Sequence, residues 1–186
     1  MKYCCQCAGL LVRQILEGDD RERHVCSDCA TVFYQNPKII TGCLPIWRDQ
    51  VLLCRRAIEP RYGLWTLPAG FMENGETTQA GAVRETLEEA QLNLDPEQLQ
   101  LYCYLDIPRI NQVYVMFRAT MAAPDFAPGR ESLEVALFSE QDIPWEQLAF
   151  PSIEVCLRHY FEDRCSGNFP VRVEDIQRRP PSTFKI

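Results

Sequence analysis

Glu85, Glu88 and Glu89 stand at spacings i, i+3 and i+4, positions that share one face of an α-helix. Three carboxylates within one turn repel one another, and a helix that merely faces water gains nothing from them. A cation among them removes the penalty. Oxygen ligands at this density suit Mg²⁺ or Mn²⁺, which bind a few carboxylates together with substrate phosphates. Arg84 can pair with Glu88 on the same helix or reach back to Glu76 and hold the cluster in shape. The alternative is an ordinary solvated acidic face, the usual origin of a run of charge.

A second constellation lies near the start of the chain. Cys4-x-x-Cys7 is followed after 18 residues by Cys26-x-x-Cys29. Two such turns can present four thiolates to one tetrahedral Zn²⁺, and a closed set of four leaves no position for substrate, so the role read here is structural. The intervening residues Leu10, Leu11, Val12, Ile15 and Leu16 are enough for a hairpin but not for a core. Chains below about 40 residues seldom fold without such a staple. Cys5 and His24 fall off the spacing and are read as bystanders, His24 on a surface loop. Cys43, Cys54, Cys103, Cys156 and Cys165 sit among apolar neighbours and read as small core side chains.

These residues need elements to position them. Ile39–Trp47 and Val51–Arg55 read as strands across a turn at Arg48, Asp49 and Gln50, and Leu64–Leu67 as a short strand before Pro68-Ala69-Gly70. From Thr77 onward the pattern is helical, with Ala80, Val83, Leu87 and Ala90 forming an apolar stripe opposite the three glutamates. Leu99–Leu105, Val113–Ala119 and Leu133–Phe138 read as strands. Ser152 to Asp163 reads as a closing helix that buries Ile153, Cys156, Leu157, Tyr160 and Phe161, with His159 packed just off that face. The chain then divides into a zinc ribbon at 1–35, a catalytic domain at 36–165 and a tail at 166–186 that is loose or crosses to a partner subunit.

The stretch Gly70 to Leu92 resembles the Nudix box. Gly70 is followed after five residues by Glu76, and seven residues later come Arg84-Glu85-Thr86-Leu87-Glu88-Glu89-Ala90-Gln91-Leu92. There are two departures: Thr86 stands at an apolar position, and Gln91 replaces the glycine that ordinarily ends the helix. The ribbon followed by this box is similar to the NADH pyrophosphatase branch. Phe33-Tyr34-Gln35-Asn36-Pro37, Gly63 to Gly70, Leu105 to Pro108, Gln112 to Val115 and Glu131 to Glu134 are more similar to a related branch that includes FAD pyrophosphatases.

The resemblance implies an α/β fold, an α/β/α sandwich with a mixed sheet preceded by a small zinc ribbon. It implies hydrolysis of a nucleoside diphosphate linked to another group, by water attacking phosphorus with divalent metals. Glu85, Glu88 and Glu89 would be ligands, with a carbonyl of Ala69 or Gly70. Glu76 would sit beside them, Arg84 would organise them, and Glu88 belongs to the catalytic set as well. A further glutamate from a downstream loop would act as base or extra ligand: Glu131, with Glu134 in reserve. The expected cofactors are Mg²⁺ or Mn²⁺ at the carboxylates and Zn²⁺ in the ribbon.

No motif of the NADH-specific group follows Leu92, and the coenzyme A pattern is missing. Branch resemblance favours FAD as substrate, whereas Pro108, sixteen positions beyond Leu92, favours ADP-ribose. Tyr114, Trp65 and Phe71 could stack on a base, but aromatics at such places more often belong to the core.

Composition agrees with a metal-dependent enzyme. The 186 residues are 46% hydrophobic and 24% charged, with net charge −7, an ordinary globular balance whose sign counts against a nucleic-acid partner. No window approaches the roughly 18 uninterrupted apolar residues of a membrane span. No apolar run follows the basic start, so a cytoplasmic protein is expected. The expected partner is a nucleotide-type small molecule, and family members are often homodimers. The alternative is a catalytically silent ligand sensor or nucleic-acid-binding regulator.

Overall fold

A computed structural model describes residues 1–176, in two compact units, 1–36 and 37 onward. In the first, β1 (Leu11–Ile15) and β2 (Glu22–Cys26) pair antiparallel from Leu11↔Cys26 to Ile15↔Glu22, and β3 (Val32–Phe33) adds to β2. Its hydrophobic interior is minimal. Cys4, Val25 and Cys26 are buried, while Leu10, Val12 and Ile15 remain exposed. His24 is not on a loop: it sits in β2, half-buried, opposite Arg13 and Phe33.

The second unit is built on one mixed sheet. Its strands are β4 (Lys38–Trp47), β5 (Gln50–Arg56), β6 (Trp65–Thr66), β7 (Ala69–Phe71), β8 (Gln100–Ile107), β9 (Gln112–Thr120), β10 (Ser132–Phe138) and β11 (Arg172–Asp175). The order is β10-β5-β4-β9-β8-β11, with β6 on β5 and β7 on β4. β4–β9 and β8–β11 are parallel and the other pairs antiparallel.

Alternation along the strands puts one helix on each face. Ile40, Leu44, Ile46, Val51 and Leu53 point to α2 (Pro151–Ser166) and its Ile153, Cys156, Leu157, Tyr160 and Phe161. Cys43, Leu52 and Cys54 point the other way, to Ala82 and Ala90 of α1 (Thr78–Ala90). The α/β/α sandwich expected from the sequence is the observed one. Four of the five scattered cysteines are buried, but Cys165, at the end of α2, is exposed.

β11 lies in the segment read from sequence as a tail. It pairs with β8 from Arg172↔Cys103 to Asp175↔Asp106. Arg172 anchors it by pairing with buried Asp163 of α2, which also accepts the Tyr102 hydroxyl at 2.8 Å. His159 meets Glu174 of the same strand at 2.5 Å instead of packing inside. The rest of the tail reading, residues 177–186 and their crossing to a partner, lies outside the described residues. No helix among the described residues is long and apolar enough to cross a membrane.

Candidate active site and metal centres

α1 carries the carboxylates. Thr77 caps it, its hydroxyl accepting the Ala80 N–H at 3.1 Å. At the other end Gln91 does what the missing glycine would do. It adopts the left-handed conformation, φ 50°, and donates its N–H to Leu87 O at 2.9 Å. Its side-chain amide donates to Pro128 O at 2.9 Å. Residues of that same loop complete the cap: Ala127 N–H donates to Ala90 O and Gly129 N–H to Glu89 O.

The buried face of α1 differs from the expected apolar stripe. Leu87 is 43% exposed and Ala80 is also exposed, whereas Gly81, Ala82, Glu85, Thr86, Glu89 and Ala90 are buried. Small residues let the helix approach β4, and the carboxylates come inward with them. Thr86 fits at its apolar position because its hydroxyl donates to Ala82 O at 2.7 Å, one turn back.

Glu89 is 5% exposed and Glu85 9%, while the Glu88 side chain is open to solvent. Burial, with the charge of Glu85 next to it, pushes the Glu89 carboxyl up to about 8. Burial also raises Glu85, with Glu88 and Glu131 adding like charge. A single backbone N–H, from Ala69 at 3.4 Å, approaches Glu89. Glu89 has little else to compensate its burial and Glu85 has Arg84 alone, and two adjacent buried carboxylates of this kind are a donor set that suits a divalent cation. Gly70 is part of the fit, since a Cβ there would stand 2.3 Å from Glu85 Oε2. The peptide linking Ala69 and Gly70 therefore lies against the carboxylates.

Arg84 is the hub. Its nitrogens donate to both oxygens of Glu76, at 2.8 and 3.1 Å, to Glu85 at 2.7 Å, to Glu88 at 3.1 Å and to Phe71 O at 3.1 Å. The bonds that Arg84 donates to Glu76 raise the Arg84 pKa well above its ordinary value, and Arg84 with the Glu73 N–H holds Glu76 low. Both pairings read from the sequence are made at once. The two downstream glutamates part company. Glu131 lines the cleft beside α1, whereas Glu134, opposite Arg55 in the β5–β10 pair, turns to that guanidinium at 3.7 Å.

The cleft holds about 560 Å³. Its lining combines Glu85, Glu88, Glu89, Glu131 and Arg84 with the apolar and aromatic side chains of Ile58, Ile107, Ile110, Tyr114, Phe150 and Ile176. Arg56, 8% exposed, lies over the Phe150 ring at 5.3 Å to the centroid and donates from Nε to Pro60 O at 2.9 Å. Of the three aromatics considered from sequence, Tyr114 and Phe71 line the cleft, and Trp65 is core, edge-on to Phe138. Arg56, Phe150 and Ser152 were not anticipated. Arg56 comes from β5 and the other two from the start of α2, nearly a hundred residues on, with no spacing that could have linked them.

In the first unit the Sγ atoms of Cys4, Cys7, Cys26 and Cys29 all lie within 4.8 Å of one another. Cys4–Cys29 measures 3.7 Å and Cys7–Cys26 3.4 Å. A tetrahedral ion about 2.3 Å from each sulfur separates them by roughly 3.8 Å, and a disulfide by only about 2.05 Å. The two turns are built alike. Cys4 O accepts the Ala8 N–H and Cys26 O the Ala30 N–H, and both alanines are left-handed, φ 62° and 56°. Cys5 is exposed and outside the cluster.

The NUDIX domain family model matches residues 37–160, and the Nudix N-terminal model matches residues 2–35. The NAD-capped RNA hydrolase NudC of Edwardsiella ictaluri is 30% identical over 142 residues, 75% of this chain and 52% of that protein. An ADP-ribose pyrophosphatase of Methanocaldococcus jannaschii is 29% identical over 119 residues, 63% of this chain and 69% of that one. The chain spans about half the length of this NudC relative. The crystal structure of a NUDIX hydrolase from Nitrosomonas europaea superposes with a TM-score of 0.90 at 50% identity, over 96% of this chain and 100% of that one.

Proposed function

The chain belongs to the Nudix family, and from that premise we propose that it hydrolyses the pyrophosphate bond of an ADP-linked substrate. FAD would give FMN and AMP, and ADP-ribose would give ribose 5-phosphate and AMP. The observation that carries this reading is the cleft itself, whose lining joins buried carboxylates to apolar and aromatic side chains. Such a space suits a diphosphate that joins two bulky groups.

Mg²⁺ or Mn²⁺ bound by Glu85, Glu88 and Glu89, with a carbonyl of Ala69 or Gly70, would neutralise the diphosphate and lower the pKa of an attacking water. Arg84 holds the glutamates in register. Glu131, on the rim of the cleft, is the group we assign to accept the proton of the water, and Glu134 is engaged with Arg55. In the ribbon, Zn²⁺ on the four thiolates supplies the folding energy that the small apolar interior lacks.

The ADP-ribose pyrophosphatase relative supports the ADP half. The second group would be chosen by the rest of the lining, to which Arg109 and Ile110, following Pro108, contribute. Chromatographic product analysis with FAD, ADP-ribose, NADH and NAD, with Mg²⁺ or Mn²⁺, tests the assignment. AMP released from FAD or ADP-ribose at the highest kcat/KM is expected. No turnover with either metal would refute it.

A further inference from the structure

The cleft has a second polar feature that the carboxylates do not explain. α2 begins on its floor, at Pro151 and Ser152. Phe150 at the N-cap offers no side-chain hydrogen bond, Pro151 has no N–H, and the amides of Ile153 and Glu154 both bond to Phe150 O. Among the described residues the Ser152 amide has no acceptor. Its hydroxyl is fully buried, lines the cleft and closes no hydrogen bond, although the Tyr114 phenol comes near. A buried hydroxyl left unpaired is unfavourable, and alanine would serve better in a purely structural role.

Arg56 reaches the same place from β5. Its Nε is held by Pro60 O and its plane by the Phe150 ring. Both terminal nitrogens are left without a protein acceptor among the described residues. The largely buried Tyr114 ring lies near both Arg56 and Ser152, and the Phe150 ring lies under Arg56, so the donors work in a medium that strengthens them.

We propose that the terminal nitrogens of Arg56, with the N–H and Oγ–H of Ser152 at the start of α2, form an anion subsite. It holds the phosphoryl group of the substrate's diphosphate that lies farther from the α1 carboxylates. The guanidinium fork and a helix N-terminus are both suited to phosphate oxygens. Arg56 also acts on the charge of Glu89, which sets the subsite beside the α1 carboxylates. The subsite rests on the pyrophosphatase reading and deepens it: it selects substrates with two adjacent phosphoryl groups and fixes which one faces the metals.

Ser152→Ala and Arg56→Lys test it, the second keeping the charge while losing the fork. With ADP-ribose or FAD as substrate, kcat/KM falls roughly ten-fold for Ser152→Ala, the size of one hydrogen bond to a charged acceptor, with the loss in KM. Arg56→Lys falls further. Calorimetric titration with inorganic pyrophosphate in the presence of Mg²⁺ shows the same order of weakening, and thermal unfolding reports whether each variant is folded. Folded variants that keep wild-type KM and pyrophosphate affinity overturn the subsite, whatever the wild-type enzyme hydrolyses. Wild-type protein that hydrolyses neither substrate but loses pyrophosphate in both variants leaves the subsite standing and sinks the pyrophosphatase reading.

Discussion

Replacing Gly129 with alanine sets the loop before β10 against the end of α1. The added Cβ would stand 1.7 Å from Glu88 O and 2.8 Å from the Glu88 carbonyl carbon. Both are backbone atoms, so neither can swing aside as a side-chain tip would. An ordinary C···O approach is about 3.3 Å or more, so the loop has to withdraw by roughly 1.5 Å. Withdrawal stretches the Gly129 N–H bond to Glu89 O, now 3.0 Å, past any useful length and strains its neighbours from Ala127 and Gln91. One or two lost hydrogen bonds at about 1 kcal/mol each, with about 1–3 kcal/mol of overpacking, give a destabilisation of roughly 2–4 kcal/mol. For a domain of this size that lowers Tm by roughly 5–15 °C. Glu131 is two residues along and rides on the same loop, so turnover falls by about ten-fold or more even in folded protein. Calorimetry and hydrolysis at saturating metal measure both effects, with exposed Arg130→Ala as the neutral control. A Gly129→Ala protein whose Tm stays within about 2 °C of wild type, with turnover unchanged, would show that the loop does not bear on the helix end as described.

Three further outcomes are expected. Gln91→Ala keeps the left-handed backbone but loses the bond to Pro128 O, and is less stable by about 1 kcal/mol. Gln91→Gly relieves the backbone while losing the same bond and stays near wild type; equal stability of the two variants in urea unfolding would contradict this account. Cys26→Ser removes one corner of the thiol cluster, so metal analysis finds the zinc of the wild type lost and the first unit loses its chemical-shift dispersion. Full zinc occupancy in that variant would exclude the four-thiolate site. Burial pushes the Asp163 carboxyl up, but Arg172 and Tyr102 outweigh it and hold it below its ordinary 3.8. Its stabilising contribution is therefore complete above about pH 4 and lost as pH falls through the lower folded value. Asp163→Asn at neutral pH speeds amide exchange between β8 and β11 by about ten-fold or more, and protection unchanged by the substitution would detach Asp163 from the strand's anchoring.

Much of this architecture could be read in the chain. Strand runs such as Ile39–Trp47, the helix from Thr77 and the paired cysteines each write their structure locally, through residue pattern or ligand spacing. The orientation of α1 is different. Periodicity assigned its buried face to Ala80, Val83, Leu87 and Ala90, because hydrophobic residues ordinarily face the core. Ala90 is buried as read, but Ala80 and Leu87 are left in water, while Glu85 and Glu89 are buried along the cleft. β11 escaped notice because four residues, Arg-Val-Glu-Asp, hold one apolar side chain, and what fixes the strand is an ion pair to Asp163. Arg56 meets Phe150 and Ser152, at the start of α2, only through tertiary packing, which no interval along the sequence encodes.

The parallel pairing of β4 with β9 has a kinetic consequence. Residues 38–46 must find residues 112–120, and β5 must find β10 from 132 onward, before either face of the sheet can receive its helix. Loop closure over such spans is slow, and sheets of this kind form on the millisecond-to-second scale. The β1–β2 hairpin closes over a handful of residues and, on the zinc reading proposed above, waits only for its ion. A refolding chain therefore shows two phases: a fast one set by the zinc concentration, and a slow one, indifferent to zinc, in which the cleft comes into being.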